Sequence, residues 1–463
     1  MSDTSNPIRY PNTSNPKIMT TRGWWLIVFN LVFPGSAQAL AGNRRLGRIG
    51  MASTLVAWFI VILGMIINAV SPVTMYTIAT NGIVLFLVQA AFIYYAILWV
   101  VLTLDTLRLV RIIKTGPRAR FWIPGVAVVL VALLSGSTVF ASTLVGGVNG
   151  LLSKVGVAGP AVAPIDGRYN IVVLGVDSDP KRAASNMGMR PDTVQVLSID
   201  ANTGRVISMG FPRDLHDMPF PKSSPMHKLY PNGYTEADAP YCVEWACLNT
   251  VYVDAEVNHP EIYPQAKKAG VSPGVFAMMD AASGITGLTM QFYTLVDMTG
   301  VTHLIDALGG VDVYVDERVG IANMGVPDSE VKQWIEAGQQ HLNGHDALWY
   351  ARSRHAATGD YDRMARQQKL IAALQKQMNP ANVLAKFQQV SEAGGQVIKT
   401  NIPTDMFGTF VDLAVKSKKA GFVGVAFTPY SDVFKINAHA PNYTRIQTYV
   451  KHILKPVTPT PKP

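Results

Sequence analysis

The sequence predicts a layered α/β domain that follows an N-terminal helical membrane region. Two observations support this prediction. The 463-residue chain is 49% hydrophobic, and its long apolar stretches are concentrated before residue 150. After that point, β-branched strand patterns alternate with amphipathic helix patterns, which is typical of an α/β domain rather than a helical bundle or a β-sandwich.

Three stretches near the N-terminus are long enough to cross a bilayer, which requires about 20 apolar residues. Residues 51–70, 82–104 and 121–145 are apolar and contain no charged residue. Charge-free runs of this length argue against the alternative, buried helices of a large soluble domain. Residues 24–41 are also apolar, but Pro34 and Gly35 interrupt them. We expect this shorter stretch to be re-entrant or interfacial.

Basic residues predict how the membrane region is oriented. Three arginines lie at 44–48 and five basic residues at 108–120, whereas 71–81 carries no charge. Because cytoplasmic loops are enriched in lysine and arginine, both basic loops should be cytoplasmic. We therefore expect a cytoplasmic tail at 1–23, a membrane region at 24–145, and an extracytoplasmic position for everything that follows. The predicted location is the cell membrane, with several passes.

The outer part of the chain is expected to fold as one domain at 167–430, after a Gly-, Ala- and Pro-rich linker at 146–166. Residues 431–463 are interpreted as a C-terminal extension that ends in a Pro/Thr/Lys tail. Strands are expected at residues 169–176, 192–200, 205–211, 291–296, 311–315 and 422–427. Helices are expected at residues 273–283, 301–308, 344–351, 361–378, 380–392 and 404–418.

The two cysteines of the chain, Cys242 and Cys247, both lie in the outer part. In an oxidising compartment such a pair is expected to form a small disulfide loop. The surrounding insert at 216–264 is rich in Pro, Tyr and Asn and has little periodicity. We expect it to be a long loop held by that disulfide.

The formal net charge of +9 does not indicate a nucleic-acid partner. Much of the excess lies in the two basic loops, where membrane topology accounts for it. The sequence contains no helix-turn-helix, zinc-ligand or aromatic RNA-binding pattern, so nucleic-acid binding is excluded from the prediction.

An arginine-rich segment is the most informative part of the outer domain. Residues 348–371 read LWYARSRHAATGDYDRMARQQKLI, with four arginines and two aspartates around a glycine. Helical periodicity places Arg363 and Gln367 at the start of an inward-facing stripe, and Arg366 and Lys369 on a solvent-facing one. Buried guanidinium groups need a partner. That partner is either a phosphate-rich ligand or the two aspartates of the segment.

Three further motifs place charged residues where predicted strands end. Asp177 follows the first strand in GVDSD, Asp192 opens the second in RPDTV, and Arg213 follows the third in FPRDL. If these strands are neighbours, the three side chains meet at one rim of the sheet, which is where open α/β sheets bind ligands. The adjacent Asp214 is expected to pair with a neighbouring arginine.

With the arginine-rich segment, these motifs resemble the LytR-CpsA-Psr family of bacterial cell-wall glycopolymer transferases, from about residue 169 to about residue 374. The resemblance implies a mixed-sheet layered α/β/α fold with an apolar lipid tunnel beside the sheet. It implies a Mg²⁺ ion held by Asp177 and Asp192. The family's pyrophosphate-clamping arginines correspond to Arg190, Arg213, Arg352 and Arg354, and its head-group helix residues to Arg363 and Gln367. Pro191 replaces the serine or threonine that the family often has there.

The resemblance implies phosphoryl transfer from a polyprenyl-pyrophosphate-linked glycopolymer to a sugar hydroxyl of peptidoglycan. Arginine forks and Mg²⁺ suit that chemistry, because they neutralise the pyrophosphate. Asp360 is a candidate general base, and its alternative role is to cap the helix that it begins. Two other functions stay open: a non-catalytic lipid-binding regulator of wall assembly, and a pyrophosphatase. A serine hydrolase is excluded, because Ser178 lacks a GxSxG context.

Overall fold

The computed structural model describes residues 8–157, 159–176, 190–235, 247–322, 325–355, 360–377 and 398–455. The chain divides into two compact units, Met1–Asn149 and Gly150–Pro463.

The first unit is helical. Its helices are α1 (Pro16–Val32), α2 (Ser36–Ala41), α3 (Arg44–Val70), α4 (Pro72–Thr80), α5 (Gly82–Val110) and α6 (Ala119–Val155), with a 3-10 turn at Ile112–Lys114. Three segments are long and apolar enough to cross a membrane, namely Arg44–Val70, Gly82–Lys114 and Ala119–Gly150. They contain the three predicted spans. Large apolar side chains such as Phe59, Leu87 and Phe140 are more than half exposed along them, as expected of surfaces that face lipid.

Helices α1 and α2 form a hairpin beside the C-terminal half of α5. Arg22 Nη1 donates to the Leu109 carbonyl over 2.8 Å, and Asn30 Nδ2 donates to Thr103 Oγ1 over 3.1 Å. The chain then turns at Gly35, whose φ of 93° favours glycine. Gln38 Nε2 donates to the Leu102 carbonyl over 2.7 Å on the way back. The hairpin therefore advances along α5 and returns, which is the geometry of a re-entrant segment; its depth in a membrane stays a prediction.

The second unit is an α/β domain. Its strands are β1 (Arg168–Val176), β2 (Thr193–Asp200), β3 (Val206–Phe211), β4 (Phe292–Asp297), β5 (Val311–Val315), β6 (Val319–Gly320), β7 (Trp334–Ile335), β8 (Gly338–Leu342), β9 (Ile398–Thr400) and β10 (Phe422–Ala426). Its helices are α7 (Pro225–Leu229), α8 (Thr250–Val253), α9 (Pro264–Ala269), α10 (Pro273–Thr286), α11 (Met298–Leu308), α12 (Gly344–Arg352), α13 (Asp360–Gln377), α14 (Phe407–Ala420) and α15 (Tyr443–Ile453). A π-helical turn at Asp254–Asn258 follows α8, and 3-10 turns lie at Asp328–Glu330 and Thr404–Met406.

Six strands form a mixed sheet in the order β10-β3-β2-β1-β4-β9. Strand β1 is antiparallel to β2 and parallel to β4, while β10 runs parallel to β3. Apolar β1 is buried along almost its whole length, because it lies in the middle of the sheet and is covered on both faces. A continuous apolar, β-branched run such as residues 169–176 is typical of a strand in this position.

Helices cover both faces of this sheet. On one face, Val172 and Leu174 of β1 belong to a core shared with α10 and α15. On the other face, Tyr169 and Ile171 pack with Leu413 of α14. The predicted mixed-sheet α/β/α architecture is confirmed, whereas the apolar tunnel stays a prediction.

A second, smaller core lies under the two-stranded antiparallel sheet of β5 and β8. It joins α11, α12 and α13 through residues that include Ile305, Val313, Ala347, Tyr350 and Leu370. This core holds the end of α12 against α13, and these two helices carry the arginine-rich segment.

The insert at 216–264 is not the long loop that the sequence predicted. Helices α7 and α8 and the π-helical turn lie within it, and Met218, Met226, Leu248, Tyr252 and Tyr263 are buried in the main core. Cys247 is disulfide-bonded. The other cysteine, Cys242, lies outside the described residues, as does the helix predicted at 380–392.

Two predicted boundaries also differ from the structure. Helix α6 continues to Val155, inside the segment interpreted as a linker. Up to residue 455, the C-terminal extension is part of the fold rather than an appendage, because Phe434, Ile436, Ile446 and Val450 are buried in the main core.

Candidate functional site at the sheet edge

Strand register brings Asp192 and Arg213 to one edge of the sheet. Thr193 pairs with Gly175 near the end of β1, and Val194 pairs with Phe211 at the end of β3. Asp192 lies just before β2, where its N–H donates to the Gly175 carbonyl over 3.0 Å. Asp177 follows β1 in sequence, but it lies outside the described residues.

Guanidinium groups from three segments surround Asp192. Arg213 Nη1 lies 2.6 Å from Asp192 Oδ1, and Arg354 Nη2 lies 3.5 Å from the same oxygen. Arg363 Nη2 donates to the Asp192 backbone carbonyl over 2.7 Å. Residues that are more than 140 positions apart in sequence therefore meet at one carboxylate.

The pKa of Asp192 lies below its ordinary value. Burial alone would raise it, but the positive charges of Arg213, Arg363 and Arg354 and the hydrogen bond from Arg213 outweigh that effect. The carboxylate is therefore ionised at neutral pH. Among the described residues, three cations face this one anion, which leaves a surplus of positive charge at the edge.

Helix α13 supplies the inward-facing pair that its periodicity predicted. Arg363 is 2% exposed and Gln367 is 6% exposed, so the prediction that both face inward is confirmed. Gln367 Nε2 donates to Thr193 Oγ1 over 2.9 Å and to the Ala351 carbonyl over 3.1 Å. It thereby connects β2 to the last turn of α12.

The prediction that Arg366 faces solvent is wrong. Arg366 is 8% exposed, and its guanidinium donates to the carbonyls of Tyr350 and Ser353. The first of these hydrogen bonds is 2.8 Å long. Burial lowers the pKa of Arg366. The side chain closes the C-terminal end of α12, where helix carbonyls lack partners within the helix. Lys369, by contrast, is partly exposed and pairs with Asp316.

The remaining predicted site residues are close to these residues in the sequence or lie at the ends of the same helices. Arg190 is half-buried and precedes Asp192 by two positions. Arg352 is the last residue of α12, and its guanidinium carbon lies 5.3 Å from the centroid of the Trp349 ring. Asp360 is the first residue of α13, and its side chain lies outside the described part of the chain.

Sequence reasoning missed Ser353, which together with His355 fixes the segment carrying Arg354. Ser353 Oγ donates to the Gly320 carbonyl over 2.7 Å, and His355 Nε2 lies 2.8 Å from the Val326 carbonyl. Both alternate in sequence with the arginines of the RSRH run, so an anchoring side chain lies on each side of Arg354 in the chain. That alternation was the available signal.

The fold and this cluster define an α/β domain with a cationic, carboxylate-containing site at a sheet edge, preceded by helices suited to a membrane. Residues 160–431 match the LytR_cpsA_psr family, so the chain belongs to that family.

Curated relatives agree with this assignment. The chain is 29% identical over 295 residues to the cell wall biosynthesis protein LcpA of Corynebacterium glutamicum, a match that covers 59% of this chain and 52% of LcpA. It is 26% identical over 260 residues to the regulatory protein MsrR of Staphylococcus aureus, which covers 55% of this chain and 63% of MsrR. The chain thus spans about half to two thirds of these relatives.

A third relative is the polyisoprenyl-teichoic acid–peptidoglycan teichoic acid transferase TagV of Bacillus subtilis. It is 34% identical over 115 residues, which are 24% of this chain and 28% of TagV. The crystal structure of TagV matches with 19% identity and a TM-score of 0.42, covering 63% of this chain and 98% of that one.

Proposed function

We propose that this protein is a membrane-anchored phosphotransferase that moves a glycopolymer from a polyprenyl-pyrophosphate carrier to a peptidoglycan sugar hydroxyl. The observation that carries the proposal is the convergence of Arg213, Arg354 and Arg363 on Asp192 at the sheet edge. Surplus cations at a ligand-binding edge suit a pyrophosphate, whose charge must be neutralised before a P–O bond breaks. Family membership and the names of LcpA and TagV support the same reading.

The proposed reaction is a single phosphoryl transfer. The acceptor hydroxyl oxygen forms a bond to the sugar-proximal phosphorus, and the bond from that phosphorus to the bridging oxygen breaks. Polyprenyl monophosphate leaves with the electron pair, and the hydroxyl proton passes to a base. The products are a phosphodiester between glycopolymer and peptidoglycan and a lipid monophosphate. The planar guanidinium groups of Arg213 and Arg354 would hold non-bridging oxygens and stabilise the developing charge.

A Mg²⁺ ion fits the kind of donor present. Asp192 is ionised and offers hard carboxylate oxygens, which are the ligands that Mg²⁺ prefers. Asp192 would hold the ion together with Asp177. When bound, the ion would supply additional neutralisation of the pyrophosphate charge.

Arg190, Arg352, Arg363 and Gln367 are proposed to complete the head-group site. Asp360 keeps its two proposed roles, as base for the acceptor hydroxyl or as cap of α13. The helices of the first unit would hold the domain at the outer surface of the cell membrane, and an apolar tunnel would receive the lipid tail.

Reconstitution of the full chain tests this proposal. The protein in nanodiscs would receive Mg²⁺, a synthetic polyprenyl-pyrophosphoryl glycan and peptidoglycan fragments. We expect glycan on the fragments, and Arg213→Met should lower that yield about 100-fold or more. Arg205→Met is the matched control, since Arg205 precedes the opposite end of β3. It should transfer like the wild type.

The two alternatives give different products in the same assay. Free sugar phosphate without labelled fragments would indicate a pyrophosphatase. Tightly bound but unchanged lipid would indicate a non-catalytic regulator, a function that the similarity to MsrR favours. Either result would contradict the transferase proposal.

A further inference from the structure

Two buried acceptor oxygens lie beside the site and have no donor among the described residues. They are Asp214 Oδ1 and Asn249 Oδ1. The sequence predicted that Asp214 would pair with a neighbouring arginine, and that prediction is wrong for the described part of the chain, where Arg213 and Arg354 contact Asp192 instead. A buried acceptor without a donor is costly, so its presence next to a binding site needs an explanation.

Backbone pairing brings the two residues that carry these oxygens next to the backbone of Arg213. The Leu248 N–H donates to the Leu215 carbonyl over 3.0 Å, and the Asn249 N–H donates to the Arg213 carbonyl over 3.1 Å. Asp214 lies between these two paired positions. Asn249 is therefore one backbone hydrogen bond away from the arginine that contacts Asp192.

The helix that follows Asn249 does not use its side chain. Asn249 occupies the N-cap position of α8, where an asparagine oxygen commonly accepts a backbone N–H. Here the residue has helical dihedral angles, φ −72° and ψ −18°, and makes no side-chain cap hydrogen bond. Because Asn249 is only 7% exposed, leaving this oxygen unused costs more than it would at an exposed helix end.

We infer that Asn249 and Asp214 form a hydroxyl-binding subsite beside Arg213, and that its ligand is a saccharide hydroxyl. This inference rests on the proposed function. An amide oxygen and a carboxylate oxygen accept hydrogen bonds, so the ligand must bring O–H or N–H donors. Phosphate oxygens bring none at neutral pH, and the Asp214 carboxylate would repel them. A sugar hydroxyl next to the pyrophosphate-binding arginine meets both requirements.

The hydroxyl has two possible sources in the reaction, the sugar of the donor and the sugar of the acceptor. Both present the same donor group, and steady-state kinetics separates them. Loss of the subsite raises KM for the substrate that it contacts and leaves KM for the other substrate unchanged.

The test compares two variants of the full chain in nanodiscs with Mg²⁺. Asn249→Leu keeps the approximate shape and removes the acceptor, whereas Asn249→Asp keeps an acceptor oxygen. The substrates are polyprenyl-pyrophosphoryl N-acetylglucosamine and a peptidoglycan oligosaccharide. We expect Asn249→Leu to raise KM for one of them about tenfold with little change in kcat, and Asn249→Asp to restore most of that loss.

Singly deoxygenated sugars complete the test, because they change the ligand rather than the protein. One deoxy analogue should raise the KM of the wild-type chain about tenfold and leave Asn249→Leu unaffected, because the two changes remove the same hydrogen bond. The inference is overturned if no analogue has this effect. It is also overturned if Asn249→Leu behaves as the wild type, or if additional Mg²⁺ rescues the variant, since rescue would assign the oxygens to a cation.

Failure of the proposed function can be distinguished from failure of the subsite. If the wild-type chain transfers nothing, equilibrium binding of the same lipid-linked sugar still tests the subsite. Asn249→Leu should then bind either this lipid-linked sugar or the peptidoglycan oligosaccharide about tenfold more weakly than the wild type, and equal affinities for both would refute the subsite.

Discussion

Replacing Arg366 with methionine should destabilise the outer domain, although the helix pattern places this residue on the solvent side. Arg366 extends from α13 to the end of α12, where it donates to the carbonyls of Tyr350 and Ser353. Its guanidinium carbon also lies 5.9 Å from the centroid of the Tyr350 ring. Methionine fills much of the same volume but donates no hydrogen bond. The variant therefore leaves two buried carbonyl oxygens without their donor.

The size of the effect follows from those two carbonyls. Each buried acceptor left without a donor costs about 1–3 kcal/mol. Relief of the desolvation of the Arg366 charge offsets part of that cost. We expect a net loss of about 3 kcal/mol in the free energy of unfolding, which corresponds to a melting temperature about 6–12 °C lower for a domain of this size.

Thermal unfolding of the full chain in detergent, followed by near-ultraviolet circular dichroism, measures this loss. Lys369→Met is the matched control on the same helix, because Lys369 and its partner Asp316 are 41% and 62% exposed at their side chains. An exposed ion pair contributes about 0–1 kcal/mol, so the control should melt close to the wild type. If Arg366→Met also melts within about 2 °C of the wild type, the assigned role of Arg366 is wrong.

Three further predictions concern the site and the core. Asp192 stabilises the fold while it is ionised, because the arginines around it hold its pKa below the ordinary value. This stabilisation is fully present above about pH 4 and is lost as the pH falls through the pKa of Asp192 in the folded state. Denaturant unfolding between pH 7 and 3 should therefore show a flatter acid dependence for Asp192→Asn, and an unchanged slope would contradict the assignment. Gly284→Ala should cost about 3 kcal/mol in the same measurement, since a Cβ there would lie 1.7 Å from the Pro219 carbonyl oxygen. Gly159→Ala, whose Cβ would meet nothing nearer than 4.0 Å, is its control and should change little. Gln367→Met should lower transfer about tenfold by freeing the end of α12, and full activity would show that this link is dispensable.

The sheet and the edge on which the site lies could be predicted because their signals are local. A continuous apolar, β-branched run identified β1, and an alternating run, the ANTG turn and a returning run identified β2 and β3 as a hairpin. Because β2 and β3 are neighbours, Asp192 and Arg213 meet at one edge. The inward position of Arg363 and Gln367 followed from helical periodicity alone.

The prediction put Arg366 on the solvent side because it took helix α13 to have a single buried face. Helix α13 has two neighbours, the sheet on one side and α12 on the other. A guanidinium group can be buried against the carbonyls at a helix end, and hydrophobic periodicity does not predict such a polar partner.

The insert was misread because its helices are too short to display a period. Helices Pro225–Leu229 and Thr250–Val253 span about one turn each, yet their apolar residues fill the core. The sequence of helix α15, in contrast, contains a pattern typical of a helix. Asn442 caps it, and Ile446 and Val450 recur at a spacing of four residues on its buried side.

The most direct test of the central proposal follows the two phosphorus atoms of the donor separately. A polyprenyl-pyrophosphoryl glycan with one radioisotope at the sugar-proximal phosphorus and another at the lipid-proximal phosphorus would be supplied to the nanodisc-embedded chain with peptidoglycan. We expect the sugar-proximal label to become covalently attached to peptidoglycan and the lipid-proximal label to leave as polyprenyl monophosphate. Glycan transferred without its phosphorus label, or both labels retained on the lipid, would contradict the proposal.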